Sequence, residues 1–177
     1  MNELRQNMSN AAAIVRDAGG KVIGRTRLQK VAYLLELAGL GTGYRFEYRY
    51  YGPYSEKLAE DIRAAWAFDM VVETERLASW GGTYSIFEST PEAGEPDSGS
   101  RARFAQETAK IDAIELELAA TAAYLRAEER YDDPWEETRR RKPDKASEER
   151  ITAAKHVFQE LKELQRSLKT PRELPDI

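Results

Sequence analysis

The feature that most constrains this chain is a change of hydrophobic period inside its first half. Leu28, Val31, Ala32 and Leu35 recur at i, i+3, i+4 and i+7, the signature of one helical face. Tyr44, Phe46, Tyr48 and Tyr50 then alternate with Arg45, Glu47 and Arg49, the two-residue repeat of a strand with one aromatic and one charged face. Leu58, Ile62, Ala65 and Trp66 return to the helical spacing. A chain that switches period twice within 40 or so residues cannot be a simple bundle or a sandwich. The fold class expected is α+β, mainly helical.

Around that switch the other elements follow. Leu4, Met8, Ala11, Ala12 and Val15 predict a first helix over residues 2–18, stopped by Gly19-Gly20. Lys21, Val22 and Ile23 form a short β-prone stretch, and Thr26 is placed to cap the second helix. Glycines at 39, 41 and 43 end that helix, Gly52-Pro53 breaks the aromatic strand, and Ser55 is the N-cap expected for the third helix. Residues 70–74 and 83–87 read as two strands around a turn containing Trp80-Gly81-Gly82.

The second half is organised differently. Residues 89–100, STPEAGEPDSGS, hold almost no apolar area and read as a flexible linker. Ile111, Ile114, Leu118, Ala122 and Leu125 mark a long helix, which Asp132-Asp133-Pro134-Trp135 interrupts. A basic run occupies 139–142, and Ile151, Ala154, Phe158, Leu161, Leu164 and Leu168 form a near-heptad seam on a last helix. The expected organisation is a winged-helix-like module at 1–88, a linker at 89–100 and a helical region at 101–177, which packs on the module or pairs with a second copy. The departure from a helix-turn-helix is the insertion of a Gly-rich turn and a strand where roughly 3–4 residues would normally join the two helices.

Composition narrows the chemistry. There is no cysteine and a single histidine, His156, so thiol nucleophiles, Cys-based zinc sites and His-based triads are not expected. No apolar run reaches the roughly 20 residues of a membrane span, and the opening MNELRQNMSN has no apolar signal core, so the expectation is a soluble, cytoplasmic protein. With 27 Lys and Arg against 31 Asp and Glu, the net charge is −4, unlike the overall basic character of most phosphate-binding domains. Up to Thr90 the chain holds 11 basic and 11 acidic residues, so any nucleic-acid contact needs a local patch.

The run Gly24-Arg25-Thr26-Arg27-Leu28-Gln29-Lys30-Val31-Ala32-Tyr33-Leu34-Leu35, followed by Phe46-Glu47-Tyr48 and by Tyr51-Gly52-Pro53-Tyr54-Ser55 with Leu58, resembles the YwgA-type proteins of bacteria. More distantly it resembles the Panacea antitoxin domain typified by SocA. The resemblance covers the first half and departs at the turn, where Panacea proteins more often carry a YGPV-like motif. It implies a non-enzymatic regulator of antitoxin or adaptor type that contacts a partner protein directly, with no catalytic residue, cofactor or metal.

Two surfaces compete for that role. Tyr50, Tyr51 and Tyr54 with Arg49 are the expected protein-binding set, because six of the 17 aromatics fall between Tyr44 and Tyr54 and large rings near a turn supply contact area at little entropic cost. The alternative is a DNA-binding regulator using Arg25, Arg27 and Lys30, with Arg45 on the aromatic strand, Lys57 on the third helix and Arg76 on the wing. The third helix weakens that alternative, since Glu56, Glu60 and Asp61 share it with Lys57 and Arg63. Asp132-Asp133 reads as a solvated helix-breaking loop ahead of a Mg²⁺ site, His156 as a packing residue, and the 39–43 glycines lack the strand a dinucleotide loop follows.

Overall fold

The computed structural model describes residues 2–177. Three helices and two small sheets form the first half: α1 (Glu3–Asp17), β1 (Lys21–Ile23), α2 (Arg25–Leu37), β2 (Glu47–Arg49), β3 (Gly52–Tyr54), α3 (Glu56–Ala67), β4 (Val71–Leu77) and β5 (Thr83–Ser89). A 3₁₀ turn (Pro91–Ala93) leads to α4 (Ser100–Ala109), α5 (Ala113–Ala127), α6 (Pro134–Arg141) and α7 (Glu148–Leu168). The fold is α+β and mainly helical. One antiparallel sheet has the order β1–β5–β4, and a second consists of β2 and β3 alone.

Local chemistry explains most of these boundaries. Asn2 and Ser55 cap α1 and α3, accepting from the amides of Leu4 and Leu58. The second helix differs from expectation: Gly24, at φ 101°, occupies its N-cap and Thr26 lies within the first turn. The aromatic strand also differs. It shortens to β2, and Gly52-Pro53 does not end it but forms the returning strand, with Tyr48 opposite Pro53 and Arg49 opposite Gly52. Proline is tolerated there because a two-stranded ribbon has only outer edges.

One hydrophobic core runs through both halves. Its centre is α5, where Leu116, Leu118, Ala119, Ala120, Ala122 and Ala123 are fully buried. The alanines let neighbours approach closely, and α2, β3, α6 and α7 all pack on α5. The seam of α7 faces α5 and α4. Residues 89–100 carry tertiary bonds instead of spanning free space: Ala93 is buried, its carbonyl accepts from Arg16, and the Asp97 amide donates to buried Asp17. Asp17 also pairs with Arg101 at 2.7 Å, which ties this segment and α4 to α1.

The long helix is interrupted as expected, since α5 ends at Ala127, and the Asp132-Asp133-Pro134-Trp135 stretch also starts the next helix, α6. Asp133 caps α6 through the Glu136 amide, and Pro134 takes the first helical position, where its missing N–H costs nothing. His156 is exposed on α7 and lies 3.2 Å from Glu160, so it is not a packing residue. Among the described residues no helix is long and apolar enough to cross a membrane.

Gly52 is a tight joint between the hairpin and α5. Its φ is 89°, and a Cβ there would overlap the hydroxyl of Thr121 on α5. Gly52→Ala is expected to lower the unfolding free energy by about 2–4 kcal/mol through left-handed strain and overpacking. Urea denaturation checks this, and adding Thr121→Ala should recover part of the loss.

Candidate functional site

A groove of about 640 Å³ opens between α2, α3 and β4. Each wall follows from a simple spacing. Leu58, Ile62 and Trp66 succeed one another at four-residue intervals and so share one face of α3, while Glu73 and Glu75 alternate on β4 and share one face of the strand. Leu28, Leu58 and Phe87 make a buried apolar floor. Tyr51 and Tyr54 of the β2–β3 hairpin close one end, and the exposed Trp66 ring stands at the rim. A concave, largely apolar site of this size with a few fixed polar groups has the general character of a binding pocket.

The polar groups at the groove are organised by ion pairs. Arg25 donates to Glu73 at 2.7 Å and reaches Glu75 at 3.7 Å. Ser85 also donates to Glu73, at 2.6 Å. Partial burial would raise the Glu73 carboxyl, but the bonds from Ser85 and Arg25 outweigh it and hold it below the ordinary glutamate value.

Behind the groove, two consecutive residues of α2 grip the hairpin. The Gln29 amide both donates to the Ser55 carbonyl at 3.0 Å and accepts from the Ser55 amide at 2.8 Å. Lys30 is 1% exposed, and its ammonium donates to the Pro53 carbonyl at 2.7 Å. Burial pushes the Lys30 pKa down to about 7, opposed by Glu117 and reinforced by Lys142 and Lys145. The Lys142 ammonium bonds the Tyr50 carbonyl at 3.1 Å and Glu117 at 2.8 Å, so the hairpin is held from both sides.

The expected protein-binding set divides across this geometry. Tyr51 and Tyr54 line the groove, whereas Tyr50 projects from the hairpin tip, 84% exposed and edge-on to Tyr51. Arg49 lies over the Tyr54 ring at 5.2 Å and is paired with Glu47 and Glu56.

The expected DNA-binding cluster does not assemble. Lys30 is buried, and Arg27 bonds the carbonyls of Ile23, Ala109 and Ile111, closing the end of α4. Arg25 is held by Glu73, and Lys57 pairs with Asp61. Arg45 lines a separate cavity with Tyr44 and Phe46, and Arg76 lies across from Tyr84 on the sheet face opposite the groove. The physical reason is common to four of the six: Arg25, Arg27, Lys30 and Lys57 each already donate to an acceptor inside the molecule.

The basic run at 139–142 is likewise compensated. Arg139 lies near Glu136, Arg140 and Arg141 share Glu137, and Lys142 reaches Glu117. Among the described residues there is no group of three or more His, Asp or Glu able to hold a metal ion. In the 39–43 turn the Glu36 carboxylate accepts three successive amides, from Thr42, Gly43 and Tyr44. Sequence reasoning missed Trp66, Glu73 and Glu75 as groove residues. The signal available was Trp66 itself, a large ring at the end of an apolar stripe. Comparison of the chain with protein-family models, with curated proteins and with solved structures finds no match.

The buried lysine makes a signed prediction. The unfolded chain keeps the Lys30 proton up to the ordinary value of 10.5, while the folded chain releases it near 7. In that window the unfolded state binds more protons, so stability rises with pH. Wild type should gain on Lys30→Met from pH 7 upward, by up to about 1.4 kcal/mol per pH unit, in denaturation series at matched ionic strength. A difference that stays constant with pH would contradict the lowered Lys30 pKa.

Proposed function

We propose that this chain is a non-enzymatic regulatory binding protein of antitoxin or adaptor type, and that its groove takes hold of a segment of a partner protein. The observation that carries this reading is the groove's composition: a buried aliphatic floor beneath Tyr51, Tyr54 and Trp66, flanked by Arg25 and Arg63. Tyrosine, tryptophan and arginine around a desolvated pocket are the residues that dominate protein–protein binding energy. Trp66 is 56% exposed, contributes little to the core, and is therefore available for an incoming surface. The resemblance of the Gln29-Lys30 and Tyr51–Ser55 segments to YwgA-type and Panacea proteins agrees with this reading. The two segments touch each other and shape the groove, which gives the shared pattern a physical role.

The DNA-binding alternative receives no comparable support, because its cations are buried, paired or spread over different faces.

The test is an affinity purification from the source cells with wild type and Trp66→Ala side by side. A specific protein should be recovered with wild type and lost by about 30-fold or more with Trp66→Ala, while the two proteins melt within about 1 kcal/mol of each other. Equal recovery, or recovery of nucleic acid in place of a protein, would overturn the reading.

A further inference from the structure

One side of the groove is bounded by main chain. β4 is an outer strand of the three-stranded sheet, and the hydrogen-bond register fixes which of its groups are left unpaired. Gly24 donates to the Ser85 carbonyl and Ser89 donates to the Gly20 carbonyl, so Ser85, Phe87 and Ser89 direct their main-chain groups toward β1. Thr90 donates to the Met70 carbonyl and Ala78 to the Gly82 carbonyl. By alternation, Val72, Thr74 and Arg76 bond to β5. The N–H and C=O groups of Glu73, Glu75 and Leu77 therefore point away from the sheet along a free edge, while Val71, 1% exposed, is covered. The same edge carries the two acidic side chains that line the groove.

We infer that the partner segment binds as an added strand on the free edge of β4, as an extended peptide in which apolar and basic residues alternate. This inference rests on the proposed function and names the chemistry of the partner. Main-chain bonds to Glu73, Glu75 and Leu77 hold the peptide, and every second side chain enters the groove. Apolar groups there meet Leu58, Ile62 and Trp66. A basic group meets Glu75, whose side chain is 65% exposed and which Arg25 approaches only to 3.7 Å while bonding Glu73 at 2.7 Å.

The same acids argue against a second copy of this chain as occupant. Two β4 edges paired about a two-fold axis in full register would set Glu73 directly opposite Glu75 twice. Like charges placed so are destabilising. A seven-residue outer strand without proline or glycine is otherwise open to self-pairing, so the acids both deter that and select a basic partner.

The test is a displayed library of random peptides of about 12 residues, panned on the full chain, with the enriched peptide then synthesised and titrated against variants. Enriched sequences should alternate apolar residues with Lys or Arg. The Glu75 N–H faces outward, so Glu75→Pro removes no hydrogen bond of the sheet. Glu75→Pro should weaken binding by about tenfold or more, Glu75→Gln by about threefold, and a thermal melt shows that both variants remain folded. In wild type the peptide should slow amide exchange at Glu73, Glu75 and Leu77. Peptides that need Trp66 but bind Glu75→Pro as well as wild type, or that show i, i+3, i+4 spacing, would overturn the added strand and leave the groove reading standing. No enriched binder, or one indifferent to both Trp66→Ala and Glu75→Pro, would overturn both.

Discussion

The grip of Gln29 and Lys30 on the β2–β3 hairpin is the interaction on which the rest of this structure depends. Two strands of three residues are not stable alone in water. They persist here because α2 supplies three buried hydrogen bonds to the returning strand and to the residue after it. Each such bond contributes about 0.5–1.5 kcal/mol net, but leaving its partner unsatisfied costs more. Ser55 also caps α3, so the Gln29 amide fixes the start of that helix as well as the end of the hairpin. Hairpin, α3 and groove are therefore set by one pair of neighbouring side chains on α2.

The C-terminal helices complete the grip from the far side. Glu117 on α5 accepts from Lys142 and Lys145, and Lys142 passes a further bond to the Tyr50 carbonyl. The Arg141 guanidinium covers the Tyr48 ring at 4.6 Å, and the Lys145 ammonium lies 4.5 Å from the centre of the Tyr51 ring. Burial drives the Lys30 ammonium toward neutrality, opposed by Glu117 and reinforced by Lys142 and Lys145, and burial lowers Lys142 as well against its bond to Glu117. The second half of the chain thus acts as the back wall of the site formed by the first.

Local signals carried much of this architecture. Periodicity reveals α1, α2, α3 and the β4–β5 hairpin, and the Ser55 cap follows from residue type alone, because propensity and tertiary packing agree at those positions. Where they disagree, the sequence misleads. Pro53 reads as a strand breaker until it is seen to lie on a strand with one free edge. Asp133-Pro134 reads rightly as a break after α5 but not as the helix start the same pair makes. Arg27 and Lys30 read as a phosphate-binding cluster, since a one-dimensional pattern cannot show that a carbonyl across the core receives each of them. For the groove, Tyr51 and Tyr54 were legible as exposed rings beside a turn. Trp66, Glu73 and Glu75 were not, because their convergence depends on how β4 crosses α3.

The most direct test of the grip is native-state hydrogen exchange of the Ser55 amide, whose proton lies between its nitrogen and Gln29 Oε1 at 2.8 Å. In wild type this amide should exchange as slowly as those of Leu118 and Ala122 in the centre of α5. In Gln29→Leu it should speed up by about 100-fold relative to those two, a local loss of about 2.7 kcal/mol. A Ser55 amide that accelerates no more than the α5 amides would show that the hairpin and α3 are held by something other than the α2 side chains.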